Sequence, residues 1–322
     1  MKESVCPTRL TPDRKAHIYV LGGAICISFA SLFVKEAAME PAMVAFYRLL
    51  FGGLSLLGVA VLRGERWIPS RSMLRVLVVV AFCFSSDLIA WHECIVRLGP
   101  GLATILVNFQ VFFLALWGAF VLGEKLSLGH KLAIPLAIAG LMLLLEVNPA
   151  KLPPHIFAGL VFGLVAALFY SAYILTLRQS QSMEEKLPAT ANMAIVSLFS
   201  MLLVGTYCFV RGDSFVIPDA RSFGLLVFLG VGCQALGWVL LSTGLPKMPA
   251  SRAGLVMLIQ PTFSFLWDLL FYSRPTGVLG FLGAAVTLGA IGMGLGLGKK
   301  SVPEQEKTPQ KSTLANEPDK MP

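Results

Sequence analysis

The sequence predicts an all-α polytopic membrane protein with ten transmembrane helices, arranged as two inverted five-helix repeats around a central cavity. Three observations predict this fold. The mean hydropathy is +0.75, and only 14% of the 322 residues are charged, against about a quarter in soluble proteins. The charges lie between apolar runs that are long enough to cross a bilayer as helices. A stretch of the first half also recurs in the second half, 150 residues later.

Ten apolar runs follow one another, and prolines or glycines mark most junctions between them. We expect a cytoplasmic N-terminal arm over residues 1–16, a first repeat over 17–150, a second repeat over 151–298 and a cytoplasmic tail over 299–322. The tail is rich in Lys, Glu, Pro and Gln, a composition typical of disorder. The predicted helices are 17–35, 41–62, 73–96, 101–122, 128–146, 156–177, 188–210, 221–244, 251–272 and 277–298.

The internal repeat is clearest between the run that begins at Gly101 and the run that begins at Ser251. Matches between Leu or Ala residues arise easily by chance in apolar chains. Matches between polar or aromatic residues that keep their mutual spacing carry more weight, and they indicate a real repeat. Those matches are Gln110 with Gln260, Phe113 with Phe263 and Trp117 with Trp267.

An odd number of helices in each repeat predicts that the second repeat enters the membrane from the opposite side. This arrangement puts 19 of the 26 Lys and Arg residues on one side and 6 on the other. The richer side is expected to be cytoplasmic. The sequence thus predicts an integral protein of the inner or plasma membrane, with both termini in the cytoplasm. Because the basic residues flank the helices, the net charge of +8 favours contact with anionic lipid headgroups over nucleic acid.

Inverted repeats are typical of secondary transporters, in which two similar halves open a central site first to one side and then to the other. The sequence therefore predicts a small-molecule substrate and the lipid bilayer as partners, with a monomer or a homodimer as the assembly. A membrane-embedded enzyme or a channel with a polar intramembrane site is the alternative. An enzyme is not favoured, since no H-E-x-x-H, G-x-S-x-G or Gly-rich phosphate loop occurs. No cofactor or metal site is predicted either.

Three local motifs resemble the drug/metabolite transporter superfamily, EamA type, and the resemblance extends over residues 17–298. They are the segment Ala45-Phe46-Tyr47-Arg48, the Asn108-x-Gln110 pair, and the Leu-Gly-Glu-Lys-Leu hinge around Glu124 with the small-residue run that follows it. The resemblance implies a basket of helices around a central cavity and the export or exchange of small metabolites such as amino acids; we expect export. The second half departs from the pattern because Arg274 stands where an acid matching Glu124 is expected.

Ionisable residues inside a membrane are costly and are functional candidates by default. Arg48 has two interpretations. It forms a structural ion pair with Asp87 or Glu93, or its planar guanidinium binds a substrate carboxylate. Asp87, Glu93 and Asp268 are the candidates for coupling transport to protons. Asp268 is expected to be wetted at the outer mouth.

The remaining substrate-binding candidates are polar or aromatic residues at helical spacing. Asp87 with Trp91, and Gln234 with Trp238, stand at i, i+4 on equivalent helices of the two halves. Asn108 and Gln110 fall on nearly opposite faces of one helix and are not expected to line one cavity, and Asn108 with Thr104 is expected to bond a neighbouring helix. The full predicted set is Arg48, Asp87, Trp91, Gln110, Tyr170, Gln234, Trp238 and Gln260. The glycine-rich last helix is predicted to pack on the fifth helix or to form a dimer face.

Overall fold

The computed structural model of the chain describes residues 12–121, 123, 128–145, 153–244, 259–273 and 276–294. Several predictions lie wholly or partly outside this range: the hinge residues Glu124 and Arg274, the repeat boundary at residue 150, the N-terminal arm before residue 12, the tail over 299–322, the beginning of the ninth predicted helix (251–258) and the end of the tenth (295–298). Within it, the chain is helical and contains no strand. The predicted all-α class is confirmed.

The helices are α1 (Pro12–Ser28), α2 (Ala30–Glu36), α3 (Pro41–Leu62), α4 (Arg71–Leu98), α5 (Pro100–Val107), α6 (Gln110–Val121), α7 (Leu128–Leu145), α8 (Pro154–Ser182), α9 (Ala189–Arg211), α10 (Ala220–Val227), a π-helical segment (Phe228–Gly237), α11 (Trp238–Gly244), α12 (Ile259–Tyr272) and α13 (Val278–Gly294). Proline occupies the first turn of α3, α5 and α8, where its missing N–H removes no helical bond. The Asp219 side chain caps α10 by accepting from the Ser222 N–H at 2.7 Å.

Within the part of the chain that the structure describes, seven helices are long and apolar enough to cross a membrane. Two of these seven run through α1–α2 and α5–α6, and a third contains the π-helical segment. The described parts of α7, α12 and α13 are shorter. The described residues therefore establish a multi-pass membrane protein, and the count of ten helices stays a prediction.

Three of the predicted spans are found as candidate membrane spans, but they are not continuous α-helices. The first is interrupted at Phe29, the fourth at Asn108 and Phe109, and the eighth has π geometry over Phe228–Gly237. Backbone that departs from α-helix is tolerated at membrane depth where it is buried in protein or lines a cavity. These departures therefore point to the interior of the bundle as the place of the functional site.

The outer surface of the bundle is apolar over most of its length. Large hydrophobic side chains such as Phe120, Val210 and Val278 are 83%, 80% and 86% exposed. Exposed apolar area on this scale is unfavourable in water and favourable against lipid chains. The polar side chains that face inward are therefore the ones that need a structural or functional account.

Contacts between the two predicted halves follow a regular exchange. α4 packs on α8, and the segment formed by α11 and the π-helical turns packs on α1 in the same way. α3 packs on α9, α5 on α12, and α7 on α13. In terms of the ten predicted helices, these contacts pair the third with the sixth, the first with the eighth, the second with the seventh, the fourth with the ninth and the fifth with the tenth. Exchanging each helix of the first half with its counterpart in the second half gives the same set of pairs. The prediction that the glycine-rich last helix packs on the fifth is confirmed by the α7–α13 contact.

Small residues allow α7 and α13 to approach closely. A methyl group at Gly283 would lie 2.3 Å from the backbone nitrogen of Leu144 and 2.6 Å from the carbonyl oxygen of Gly140. A methyl group at Gly140 would meet the Thr287 hydroxyl at 2.5 Å. Only glycine therefore fits at positions 140 and 283 without moving the two helices apart.

We expect Gly283→Ala to destabilise the protein by about 1–3 kcal/mol, because the added methyl group pushes α7 and α13 apart. Gly289→Ala on the same helix is the control, since nothing lies within 4 Å of its Cβ position. The control is expected to keep or raise the thermal midpoint, as Ala favours helix over Gly. Thermal unfolding of the purified protein in detergent measures both, and equal midpoints for the two variants would contradict the packing described here.

Candidate functional site

A cavity of about 310 Å³ lies between α1, α3, α4, α5–α6, α8, α11 and α12. It is within the size range of small-molecule sites. Of the eight residues predicted to bind substrate, seven line it and Gln234 does not. The seven are Arg48, Asp87, Trp91, Gln110, Tyr170, Trp238 and Gln260.

Arg48 is the buried cation of this cavity. Its side chain is 4% exposed, its Nε donates to Gln234 Oε1 at 3.0 Å, and its guanidinium carbon lies 5.5 Å from the centre of the Trp91 ring. Within the described ranges its Nη1 has no hydrogen-bond partner. The guanidinium is thus held by a neutral amide and an indole, both compatible with a cation, and keeps N–H groups for another partner.

Gln234 is placed against Arg48 by a close crossing of α3 and the π-helical segment. A methyl group at Gly52 would lie 2.5 Å from Gln234 Cγ, and one at Gly230 would lie 2.5 Å from Phe51 Cβ. The amide is fixed at its other end because Gln234 Nε2 donates to Ser197 Oγ at 3.3 Å. Gln234 therefore orients the guanidinium without lining the cavity itself. The prediction that Gln234 contacts the substrate directly places it too close to the cavity.

Four of the cavity-lining side chains have a buried polar atom with no hydrogen-bond partner among the residues that the structure describes, in addition to Arg48. These atoms are Asp87 Oδ1, Trp91 Nε1, Gln110 Oε1 and Trp238 Nε1. A buried polar group without a partner costs about 1–3 kcal/mol, and such groups are rare in native structures. Their concentration around one cavity is what a site for a polar ligand requires.

The apolar side of the cavity is an aromatic wall. Tyr170 and Tyr173 stack with ring centres 5.8 Å apart, and Phe84 stacks on Tyr173 at 4.7 Å. Tyr173 lines the cavity and is otherwise fully enclosed by protein. The cavity thus combines an apolar wall with a few polar groups at fixed positions, which suits an amphipathic ligand.

The expectation for Asn108 was wrong. Asn108 and Gln110 both line the cavity, because the chain is interrupted between α5 and α6 and the two residues are not on one straight helix. The Asn108 amide donates at 2.8 Å to the carbonyl of Thr104 in its own helix, and not to a neighbouring helix as predicted.

The three carboxyl groups named as coupling candidates lie in different surroundings. Asp87 lines the cavity. Glu93 forms ion pairs with Arg97 and with Arg211, at 4.0 Å in the second case, so it is not paired with Arg48. Asp268 is 2% exposed and accepts from the Gly101 N–H at 3.3 Å, whereas the sequence analysis expected it to be wetted.

Ion pairs and polar contacts cluster at one end of the bundle, which we name the Arg97 face. Besides the Glu93 pairs, Glu36 binds Arg221 and accepts from the Tyr272 hydroxyl at 2.9 Å. The opposite end, where α8 ends and α9 begins, is named the Arg178 face. The polar contacts therefore join helices of both predicted halves at the Arg97 face.

Arg178 is a charged residue of the cavity that was not among the predicted site residues. Its position near the end of a helix indicated only a basic residue flanking a membrane span. The spacing of Tyr170, Ile174 and Arg178 places all three on one face of α8, and this spacing was the available signal.

Comparison with known proteins identifies a family and several relatives. The model of the EamA-like transporter family matches residues 14–146 and 157–295. An uncharacterised transporter of Archaeoglobus fulgidus is 23% identical over 274 residues, covering 83% of this chain and 92% of the relative. The pseudopaline exporter CntI of Pseudomonas aeruginosa is 24% identical over 264 residues, covering 80% and 88%. A solved crystal structure with a TM-score of 0.62 and 17% identity, covering 86% of this chain and 95% of that one, shares the fold.

We expect Gln234→Leu to lower the free energy of unfolding by about 1–3 kcal/mol, because it leaves the buried Arg48 Nε without an acceptor. Gln110→Leu is the matched control, since its Oε1 has no partner to lose, and its thermal midpoint is expected to stay close to that of the parent. Thermal unfolding of ligand-free protein in detergent measures both. Equal losses in the two variants would show that Gln234 does not hold the guanidinium.

Proposed function

Because the chain belongs to the EamA-like transporter family, we propose that it is a secondary transporter that exports amino acids or related amphipathic metabolites by alternating access. One observation carries the substrate class: the central cavity contains both a guanidinium and a carboxylate with unpartnered polar atoms, at Arg48 and Asp87. Among the described residues no carboxylate lies within ion-pair distance of Arg48. A ligand with a carboxylate and an ammonium would provide a partner of opposite charge for Arg48 and for Asp87 at the same time.

Two groups have complementary roles in this proposal. The planar guanidinium of Arg48 binds the substrate carboxylate in a bidentate way, with Gln234 holding it in orientation. Asp87 and the indole faces of Trp91 and Trp238 receive the ammonium end. Tyr170 and Gln110 contact the side chain and backbone of the substrate, and Gln260 does so from the second half.

The transport mechanism rests on two exchangeable halves. We propose ten helices in two inverted repeats, 17–150 and 151–298, and the regular exchange of helix contacts supports this arrangement. The excess of Lys and Arg supports a cytoplasmic Arg178 face, with both termini inside. Among the coupling candidates we favour Asp87, because a proton carrier that lines the cavity is exposed to each side in turn.

Export is supported by one observation: a relative from Pseudomonas aeruginosa is named an exporter. The ion pairs at the Arg97 face and the position of the cavity next to the Arg178 face are those expected of a state open toward the proposed cytoplasmic side. The family and its named relatives favour a transporter over a membrane enzyme or a channel.

We expect Arg48→Ala to fold and to abolish the flux of carboxylate-bearing amino acids in proteoliposomes, while the flux of amines without a carboxylate remains measurable. Arg48→Lys is expected to retain a small part of the carboxylate flux, because it keeps the charge without the planar fork. Radiolabelled uptake and efflux under imposed pH gradients measure this, with the thermal midpoint as a control for folding. Unfolding of both variants would favour a structural role for Arg48, and hydrolysis of any substrate would favour an enzyme.

The contacts at the Arg97 face must break when that side opens. We expect Glu36→Arg to repel Arg221 and to lower the exchange flux of amino acids by weakening the closed state, and the double variant Glu36→Arg with Arg221→Glu to restore at least half of it. Each exposed ion pair contributes only about 1 kcal/mol or less, so a partial effect of severalfold is expected. If the exchange flux of the double variant did not exceed that of the single variant, the Glu36–Arg221 ion pair would not contribute to closing the Arg97 face.

A further inference from the structure

A second cavity of about 440 Å³ lies next to the central one, toward the Arg178 face. It is lined by the last turns of α8, the first turns of α9, Leu56 and Trp238. Leu177, Arg178 and Trp238 line both cavities. The two spaces are therefore neighbours, and these three residues contact both of them.

Arg178, one of these three residues, supplies a second cation. It stands eight residues beyond Tyr170 on α8, roughly 12 Å along the helix, so it lies well apart from the aromatic wall of the central cavity. Its side chain is exposed, and no carboxylate in the described ranges lies within ion-pair distance of it. The guanidinium is thus available to a ligand group.

Two buried polar atoms face the same space without partners. Asn192, 1% exposed, lines the second cavity and donates through Nδ2 to Ser180 Oγ at 3.3 Å, but its Oδ1 has no partner among the described residues. The indole Nε1 of Trp238 is likewise unpartnered. A cation, an N–H donor and an amide oxygen therefore surround the second cavity.

The charges of the two cavities indicate which ligand they fit. Their described lining contains two cations, Arg48 and Arg178, and one acid, Asp87. A ligand with one ammonium and two carboxylates has the complementary charge. We propose that Arg178 and Trp238 form a second anion subsite, so that the preferred substrates are elongated amino dicarboxylates, with the α-amino acid end at Arg48 and Asp87 and the distal carboxylate at Arg178.

This inference rests on the proposed function and adds a preference for ligand length. The probes are 2-amino dicarboxylates of increasing chain length, from aspartate through glutamate and 2-aminoadipate to 2-aminopimelate, with norleucine as the monocarboxylate comparator. In proteoliposomes of the full chain, the KM is expected to fall with chain length toward 2-aminopimelate. Arg178→Gln is expected to raise the KM for 2-aminopimelate about tenfold, the effect of one charged hydrogen bond, and to leave norleucine unchanged.

Two controls separate a subsite from general electrostatics. Lys186→Gln removes an exposed cation of the same face that lines neither cavity, and it is expected to change neither KM. Arg178→Lys is expected to recover part of the 2-aminopimelate effect. Equal changes for norleucine and 2-aminopimelate in Arg178→Gln, or the same change in Lys186→Gln, would overturn the subsite in favour of a headgroup or steering role.

Binding without flux distinguishes this inference from the proposed function. In detergent, 2-aminopimelate is expected to raise the thermal midpoint of the parent more than norleucine does, and this difference is expected to vanish in Arg178→Gln. The same binding pattern with no flux of any probe would contradict the transport proposal and retain the subsite. Neither binding nor flux of any probe in the parent protein would overturn both.

Discussion

A guanidinium among apolar helices is the constraint on which the arrangement of this protein depends. Arg48 is only 4% exposed, and a buried charge without polar partners is strongly unfavourable. The protein meets this requirement with an amide, through Gln234, and with the Trp91 ring. Because both partners are neutral and no described carboxylate lies within ion-pair distance, the guanidinium keeps N–H groups for an anion. Asp87 on the wall of the same cavity supplies the opposite charge, so the site favours a ligand that carries both an anionic and a cationic group.

The close crossing at Gly52 and Gly230 follows from the same constraint. Gln234 reaches Arg48 only because the two backbones approach to a distance that excludes any side chain at these glycines. Gly230 and Gln234 both lie in the π-helical segment Phe228–Gly237. Such geometry is frequent at functional sites. Local backbone geometry and the chemistry of the cavity therefore depend on each other.

Much of the fold was predictable because hydrophobicity determines which segments are helical in a membrane. Helix boundaries such as Pro41 and Leu62 were predicted to the residue, and seven of the eight predicted residues line one cavity. The interruptions at Phe29, Asn108 and Phe228–Gly237 were not predicted, since they are set by tertiary packing and leave no mark in apolar periodicity. This explains the errors at Asn108 and Gln234: both predictions assumed straight helices with 3.6 residues per turn.

The π-helical segment directly precedes α11 in the chain. If its wide turns tightened to those of an α-helix, the chain beyond it would rotate about its own axis, and Trp238 at the start of α11 would turn with it. Trp238 lines both cavities, so one local rewinding would reshape the passage between them while the helices around it stay in place. A change in the backbone geometry of the π-helical segment would then move the Trp238 indole, and the position of this one side chain would alter both cavities.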